Sequence, residues 1–318
     1  MANRVFFFSN PEIIAYIQKH YIPVVGDDWY QRRRKDTEGE FYTRLHKQAP
    51  HATPDGWSRQ GLYTLTANGK LLSFTNTWDM KPFLEYLHGG IAAWNALPEH
   101  ERKAEPIPTI EDRDRDASYV REPPENGAII KVHTRILETG EDGHLQKVRA
   151  EGQAAWGTHA ATDHLWLTKA EIDTLLPAGR ETFPLPQPIV TRIIRHNLTD
   201  NTRGEPTRWE NGDIKEATFT CTAIDPQTVR IEGKVKLHTP DNKRGYEAVI
   251  LGHYKINTAG KLSEFKLLAH GDHWGDGKYT PHARKGRTPL GIAFHLIPGD
   301  KPADRIPPQG IRKPERYW

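Results

Sequence analysis

Gly245–Trp274, GYEAVILGHYKINTAGKLSEFKLLAHGDHW, decides how the C-terminal half of this chain is read. An apolar run, Ala248–Leu251, occupies one arm, and Asn257-Thr258-Ala259-Gly260 supplies a turn. On the other arm Phe265, Leu267 and Ala269 alternate with Lys266, Leu268 and His270. Alternation with a period of two marks a strand with one buried face, so the stretch reads as a β-hairpin. It leads directly into Ala269-His270-Gly271-Asp272-His273-Trp274-Gly275, the densest group of chemically capable side chains in the sequence.

The same pattern extends outward. In 228–238, Val229, Ile231, Val235 and Leu237 face one way and Arg230, Glu232, Lys234, Lys236 and His238 the other. Phe219, Cys221 and Ala223 share a face opposite three threonines, which makes the single cysteine a small buried apolar residue. Further strands are expected at 128–137 and 146–155, flanking the Glu141-Asp142-Gly143-His144 turn, and at 164–167 and 189–195. Thr168-Lys169-Ala170-Glu171 has capping-box spacing and opens a short helix. Many short strands, each with one polar face, predict a mainly antiparallel all-β domain over 128–297, sandwich or barrel-like. The proline-rich connection 177–188 leaves room for two sheets. The tail, 298–318, is proline-rich, lacks periodicity and is expected to wrap the surface.

The first hundred residues have another grammar. Val5–Phe8 is a short apolar strand candidate. Ser9 or Asn10 can cap a following helix with Pro11 at its first position. Tyr21–Val25 reads as a second strand, 37–48 as a helix, and Gly61–Phe74 as a hairpin around Ala67-Asn68-Gly69-Lys70. Asn-Gly is a strong hairpin signal because both turn positions favour positive φ. A last helix, about 79–97, carries Phe83, Leu84, Leu87, Ile91 and Trp94 at helical spacing. Segment 98–127, rich in proline and alternating charge, is the linker.

The order β-α-β-α-β-β-α, with Phe8-Ser9-Asn10-Pro11-Glu12, Tyr21–Asp27 and the 61–72 hairpin, resembles the thioredoxin-like domains of uncharacterised multidomain bacterial proteins. The resemblance implies an α/β thioredoxin-like domain over about 1–97. Redox members carry Cys-x-x-Cys where a helix N-terminus lowers a thiol pKa. Here that place reads Ser9-Asn10-Pro11-Glu12, so thiol–disulfide exchange by this chain alone is excluded.

With 318 residues the chain has room for two domains, and 44 Lys and Arg against 41 Asp and Glu leave a charge of +3, no nucleic-acid footprint. One cysteine rules out an intrachain disulfide and any Cys-based zinc cluster. No apolar stretch reaches the ~18–20 residues of a membrane span. The first residues lack a secretory signal, so the protein is expected to be cytoplasmic, or periplasmic or secreted if a leader has been removed.

Chemistry concentrates at His253, His270, Asp272 and His273, beside Trp274. Imidazoles with a carboxylate are the donor set that Zn²⁺ or non-haem Fe²⁺ takes. Pairing about Thr258-Ala259 leaves His253 and His270 offset by several residues, with His282, His295, His133 and His238 as substitutes. Other readings of the cluster are loop histidines bonded to Asp272 and Asp276, or an organic-ligand site walled by Trp274, Trp156 or Trp166. A second cluster, Asp27, Trp29, Arg32, Arg33 and Arg34, lies at an expected strand end and reads as an anion or acidic-partner site, or as a solvated loop of local ion pairs. No Gly-x-Ser-x-Gly elbow, phosphate-binding loop or HExxH motif is present. The leading expectation is a non-catalytic binding or scaffold protein for an unknown protein or small-molecule ligand. The alternatives are a metal-dependent enzyme or metal sensor built on 253–273, and an assembly role for Arg32–Lys35 with the basic tail.

Overall fold

The structure is a computed structural model that describes residues 7, 8, 10–50, 60–77, 79–104, 114–148, 157–177, 179 and 181–318. Ser9, Trp156, the start of the expected Val5–Phe8 strand and most of the expected 146–155 strand lie outside them. The described residues form two compact units, Phe7–Val120 and Arg121–Trp318, with the boundary inside the expected linker.

The first unit runs α1 (Pro11–His20), α2 (Asp28–Gln31), α3 (Thr37–His46), β1 (Leu62–Leu65), β2 (Leu71–Thr75), α4 (Met80–Ala96) and α5 (Glu99–Arg102). Asn10 caps α1 by accepting from the Glu12 and Ile13 N–H groups, and Pro11 begins it. Phe7, Ile13, Phe83 and Leu87 form a small core. Two expected strands are corrected. Phe7 and Phe8 are helical, and Tyr21–Val25 pairs with no strand among the described residues, leaving Ile22, Val24 and Val25 exposed.

In the β1–β2 hairpin the turn also differs from expectation. Gly69 donates to the Thr66 carbonyl, and Gly69 alone of the Asn-Gly pair has positive φ, +83°. The loop is therefore a turn followed by a left-handed glycine and a register shift at Leu65, not a two-residue turn with two positive φ angles. Gly143 and Gly260 close their hairpins the same way.

The second unit is built on one nine-stranded antiparallel sheet. Its strands are β3 (Ala128–Thr139), β4 (Leu145–Lys147), β5 (Ala161–Leu167), β6 (Thr182–Pro184), β7 (Ile214–Ala223), β8 (Thr228–His238), β9 (Gly245–Ile256), β10 (Leu262–Trp274) and β11 (Thr288–Ile297). Their order is β4-β3-β11-β10-β9-β8-β7-β6, with β5 also paired to β3. Segment 177–188 does not separate two sheets; it holds β6 and enters α7 (Gln187–Arg192), preceded in the chain by α6 (Lys169–Thr174). The expected strand at 189–195 is instead α7 and a π-helical turn, Ile193–Asn197. Its apolar residues Ile189, Val190, Ile193, Ile194 and Leu198 all bury against the sheet.

One face of the sheet meets these helical residues in a single core. Every second residue contributes, for example Phe265, Leu267 and Ala269 of β10, Tyr246, Ile250 and Tyr254 of β9, and Cys221 of β7, which is fully buried. Tyr254 donates to the Leu175 carbonyl at 2.7 Å and Trp209 Nε1 to the Leu198 carbonyl at 2.7 Å, so the polar tips of these aromatics are satisfied. The opposite face is polar over the central strands, apart from Val249, Leu251 and Leu268, which are about half exposed (54%, 54% and 45%), and carries Ile129, Trp166 and Ile297 at the β5–β3–β11 end. The tail does not merely wrap the surface. It forms short turns at Pro302–Arg305 and Gln309–Arg312 and α8 (Pro314–Tyr317), and buries Ile311 and Tyr317 against Ile129 and Trp166.

Candidate functional site

β10 carries the histidine cluster, and its pleat takes the cluster apart. Successive side chains point to opposite faces. His270 and Asp272 therefore project from the polar face, while His273 turns inward and is 6% exposed. His253 is paired with Lys266 in the ladder, four residues from the level of His270, and its Nε2 lies 3.4 Å from Glu264. Asp272 sits 3.7 Å from the Arg287 guanidinium. The four expected ligands do not converge, and among the described residues no group of three or more His, Cys, Asp or Glu side chains is placed to hold a metal ion. Of the substitutes, His133 and His295 stack with ring centroids 5.1 Å apart, and His238 contacts the Thr239 carbonyl. Trp274 donates to the Asn242 carbonyl at 3.0 Å and is covered by Arg287, 4.0 Å from its ring. Trp166 is buried beneath the tail.

The arginine cluster of the first unit is held locally. Asp27 is the N-cap of α2 and accepts from Trp29 N–H at 2.8 Å. Arg33 lies 4.4 Å over the Trp29 ring and donates to the Trp29 carbonyl. Arg32 pairs with Asp28 at 3.6 Å, and Arg34 with Asp36 at 2.5 Å and Glu38 at 2.6 Å. The segment before α2 is not a strand, so these residues do not sit at a sheet end.

What the inward turn of His273 does create is a pocket. It is lined by Ile136 of β3, Asp200 and Arg203, His273, and His282, Ala283, Arg284, Thr288, Pro289 and Leu290, and encloses about 30 Å³. The loop after the π-helical turn supplies its base. Asp200 Oδ1 accepts from the Thr202 N–H at 2.9 Å and the Thr202 hydroxyl at 2.6 Å, and Oδ2 accepts from Arg203 Nε at 2.7 Å. Arg203, 6% exposed, ties down the chain that follows β10. Its Nη1 donates to the carbonyls of Thr280 and Pro281 (2.5 and 2.7 Å) and to Asp276 (3.0 Å), and its Nη2 to the Gly275 carbonyl (3.2 Å). Glycine is needed at two of these approaches. A Cβ on Gly275 (φ +82°) would lie 1.9 Å from the Lys243 carbonyl oxygen, and one on Gly204 2.2 Å from that of Tyr279.

The mouth carries His282, an exposed residue with φ +66°, in the left-handed region that non-glycine residues seldom occupy. Asp276 Oδ1 holds the next residue through the Ala283 N–H at 2.7 Å. Arg284 spans the wall, donating to the carbonyls of Leu137 (2.7 Å) and Pro289 (3.0 Å). Behind His273, Arg244 lies 3.9 Å over the Trp209 ring and donates to Thr207 and Arg208 carbonyls, while its buried Nε has no partner.

The electrostatics separate the two central groups. Burial pushes His273 down to about 4; Asp200 opposes this, and Arg203, Arg244 and Arg284 push further in the same direction, so the imidazole is neutral at pH 7. For Asp200, burial favours the protonated form. The adjacent imidazole and Arg203, with the Thr202 and Arg203 hydrogen bonds, prevail and hold the carboxyl below its usual range. Facing the pocket there are thus two guanidinium groups, one carboxylate whose oxygens are engaged, and a neutral imidazole.

Asp200, Arg203, Arg244 and Arg284 were missed by the sequence reading. One signal was available: carrying the inward series Phe265, Leu267, Ala269 forward by two and four residues reaches Gly271 and His273. Comparison of the chain with protein-family models, with curated proteins and with solved structures gives no match.

Proposed function

We propose that the chain is a non-catalytic binding protein, and that its ligand, or one end of it, enters the pocket between Asp200, Arg203, His273, His282 and Arg284. The observation that carries this reading is a prearranged enclosure. Walls from separate parts of the chain are fixed by hydrogen bonds of their own, which lowers the ordering cost of binding. The space, about 30 Å³, takes roughly two waters or one small group. That suits recognition of a group better than seating a substrate together with an attacking partner.

The test follows the His273 and His282 imidazole resonances during titration with small acids, amines and neutral polar compounds, with recovery of each compound afterwards. The reading expects at least one chemical class to shift both resonances saturably and to be recovered unchanged. Conversion of the bound compound, or indifference of both imidazoles to every class, sinks it.

For the first unit, the β1–β2 hairpin closed by α4 supports a thioredoxin-like domain without redox cysteines. Amide hydrogen exchange in which 21–25 is protected together with β1 and β2 would carry that reading; fast exchange of 21–25 beside a protected hairpin would end it. The metal-site alternative has no geometric support, since His270 and Asp272 point away from His273.

A further inference from the structure

We propose that the group received by this pocket is a small anion, either free or as the carboxylate end of a larger ligand. The proposal rests on the binding reading above and adds the ligand's charge. Three guanidinium groups gather around His273, and they are not equally compensated. Arg203 has carboxylates on two sides, Asp200 at 2.7 Å and Asp276 at 3.0 Å. Arg244 and Arg284 have none within ion-pair distance: the protein acceptors within hydrogen-bond reach of their guanidinium groups among the described residues are backbone carbonyls, and Asp213 acts on Arg244, and Asp200 and Glu138 on Arg284, from farther away. Arginine does not shed its proton, so a buried guanidinium satisfied only by dipoles retains an unmatched charge.

The one carboxylate in the wall cannot supply the balance. Asp200 already receives three hydrogen bonds from Thr202 and Arg203. Asp276 is half exposed and committed to Arg203 and the Ala283 N–H. His273 is neutral and can turn an N–H toward an incoming oxygen. Arg284 retains donor capacity, because a guanidinium has five N–H groups and only two of its hydrogen bonds go to Leu137 and Pro289. Counting the ion pairs in direct contact, Arg203, Arg244 and Arg284 stand against Asp200 and Asp276, an excess of one positive charge that a single negative charge inside the enclosure would offset. A cation would add to an existing positive excess, and a neutral group would leave that excess in place. Size then narrows the choice. About 30 Å³ takes a formate or a carboxylate end and is tight for phosphate or sulfate.

The experiment titrates the intact protein with sodium formate, acetate and butanoate, and in parallel with ammonium, formamide and acetamide. Ionic strength is held with a bulky sulfonate buffer, and the His273 and His282 resonances and the unfolding temperature are followed. Saturable shifts with formate and at least tenfold weaker response to formamide are expected. Affinity that rises along formate, acetate and butanoate identifies the end of a larger ligand; affinity that collapses along it identifies a free anion. Arg284→Gln is expected to weaken formate binding at least tenfold. Because Arg284 also ties two carbonyls, His282→Asp at the exposed mouth serves as the second variant. Its added charge should weaken binding about five- to tenfold, and by more than His282→Asn does. Equal response to formate and formamide, or an unchanged formate affinity in His282→Asp, overturns the anion assignment and leaves the binding reading standing. Silence toward all three classes removes both.

Discussion

Replacing Arg203 by Met tests whether the pocket base is held by charge. The side chain is 6% exposed and Asp200 3%, so the pair is buried, and breaking a buried pair from one side typically costs about 3–5 kcal/mol. Methionine keeps most of the volume, which removes a cavity contribution from the comparison. The loss is larger than one ion pair because the Thr280, Pro281 and Gly275 carbonyls lose their donor as well. For a unit of this size that corresponds to roughly 6–20 °C in unfolding temperature. Urea denaturation gives the free energy, and hydrogen exchange should show residues 275–283 opening ahead of the sheet. The pH dependence provides a signature that poor packing would not. In the wild type the Asp200 carboxyl is held below its unfolded value of about 3.9, so its contribution is complete above that pH and is lost as pH falls through the folded value. Without Arg203 the buried carboxylate is driven the other way, above 3.9, and its ionised form destabilises the fold. The deficit of Arg203→Met relative to wild type should therefore shrink on acidification from pH 7 toward 4. Adding Asp200→Asn should recover at least about 1 kcal/mol at pH 7 by removing the stranded charge. A loss under about 1 kcal/mol, or a deficit independent of pH, would refute this account of the pocket base.

Three other outcomes are expected. His273 is held at about 4 against about 6.5 in the unfolded chain, so stability is full above pH 6.5 and falls by up to about 3 kcal/mol as pH drops to 4. His273→Gln should flatten that slope in pH-dependent denaturation. Leu251→Lys, on the polar face, should stay within about 0.5 kcal/mol of wild type, whereas Ile250→Lys, one residue away and fully buried, should abolish folding of the second unit as read by circular dichroism. Tyr254→Phe removes the hydroxyl bonded to the Leu175 carbonyl beneath α6 and should cost about 1–2 kcal/mol by urea denaturation.

The strands of the second unit were legible because they obey a two-residue period against one continuous core. Val229, Ile231, Val235 and Leu237 are all buried, as their alternation requires, and the Thr168–Glu171 box caps α6 as its spacing does. Two features hid from that logic. The run Ala248–Leu251 looks uniformly apolar, yet the pleat buries Ala248 and Ile250 and leaves Val249 and Leu251 half exposed. The run 189–195 resembles a strand, but its residues bury as a helical turn laid on the sheet, a distinction that a short apolar segment does not carry by itself. In the first unit, Tyr21–Val25 has strand-like composition and no strand partner among the described residues, a case where propensity had no tertiary support.

The site was half legible for a sharper reason. Proximity in sequence gathered His270, Asp272 and His273 into one cluster, and a single peptide step between Asp272 and His273 places them on opposite faces of β10. The partners His273 does acquire come from two loops, Asp200 and Arg203 from one and Arg284 from the other, whose meeting depends on the register of β10 with β11 and on the path after the π-helical turn. Nothing in local spacing encodes that meeting. The parity of the strand does encode the inward direction, and a histidine at the end of an otherwise apolar inward series has to be either satisfied or functional. Here burial keeps it neutral while two guanidinium groups beside it have no carboxylate within ion-pair distance, and that imbalance of charge, rather than the density of histidines, makes this end of the sheet the place to look for a ligand.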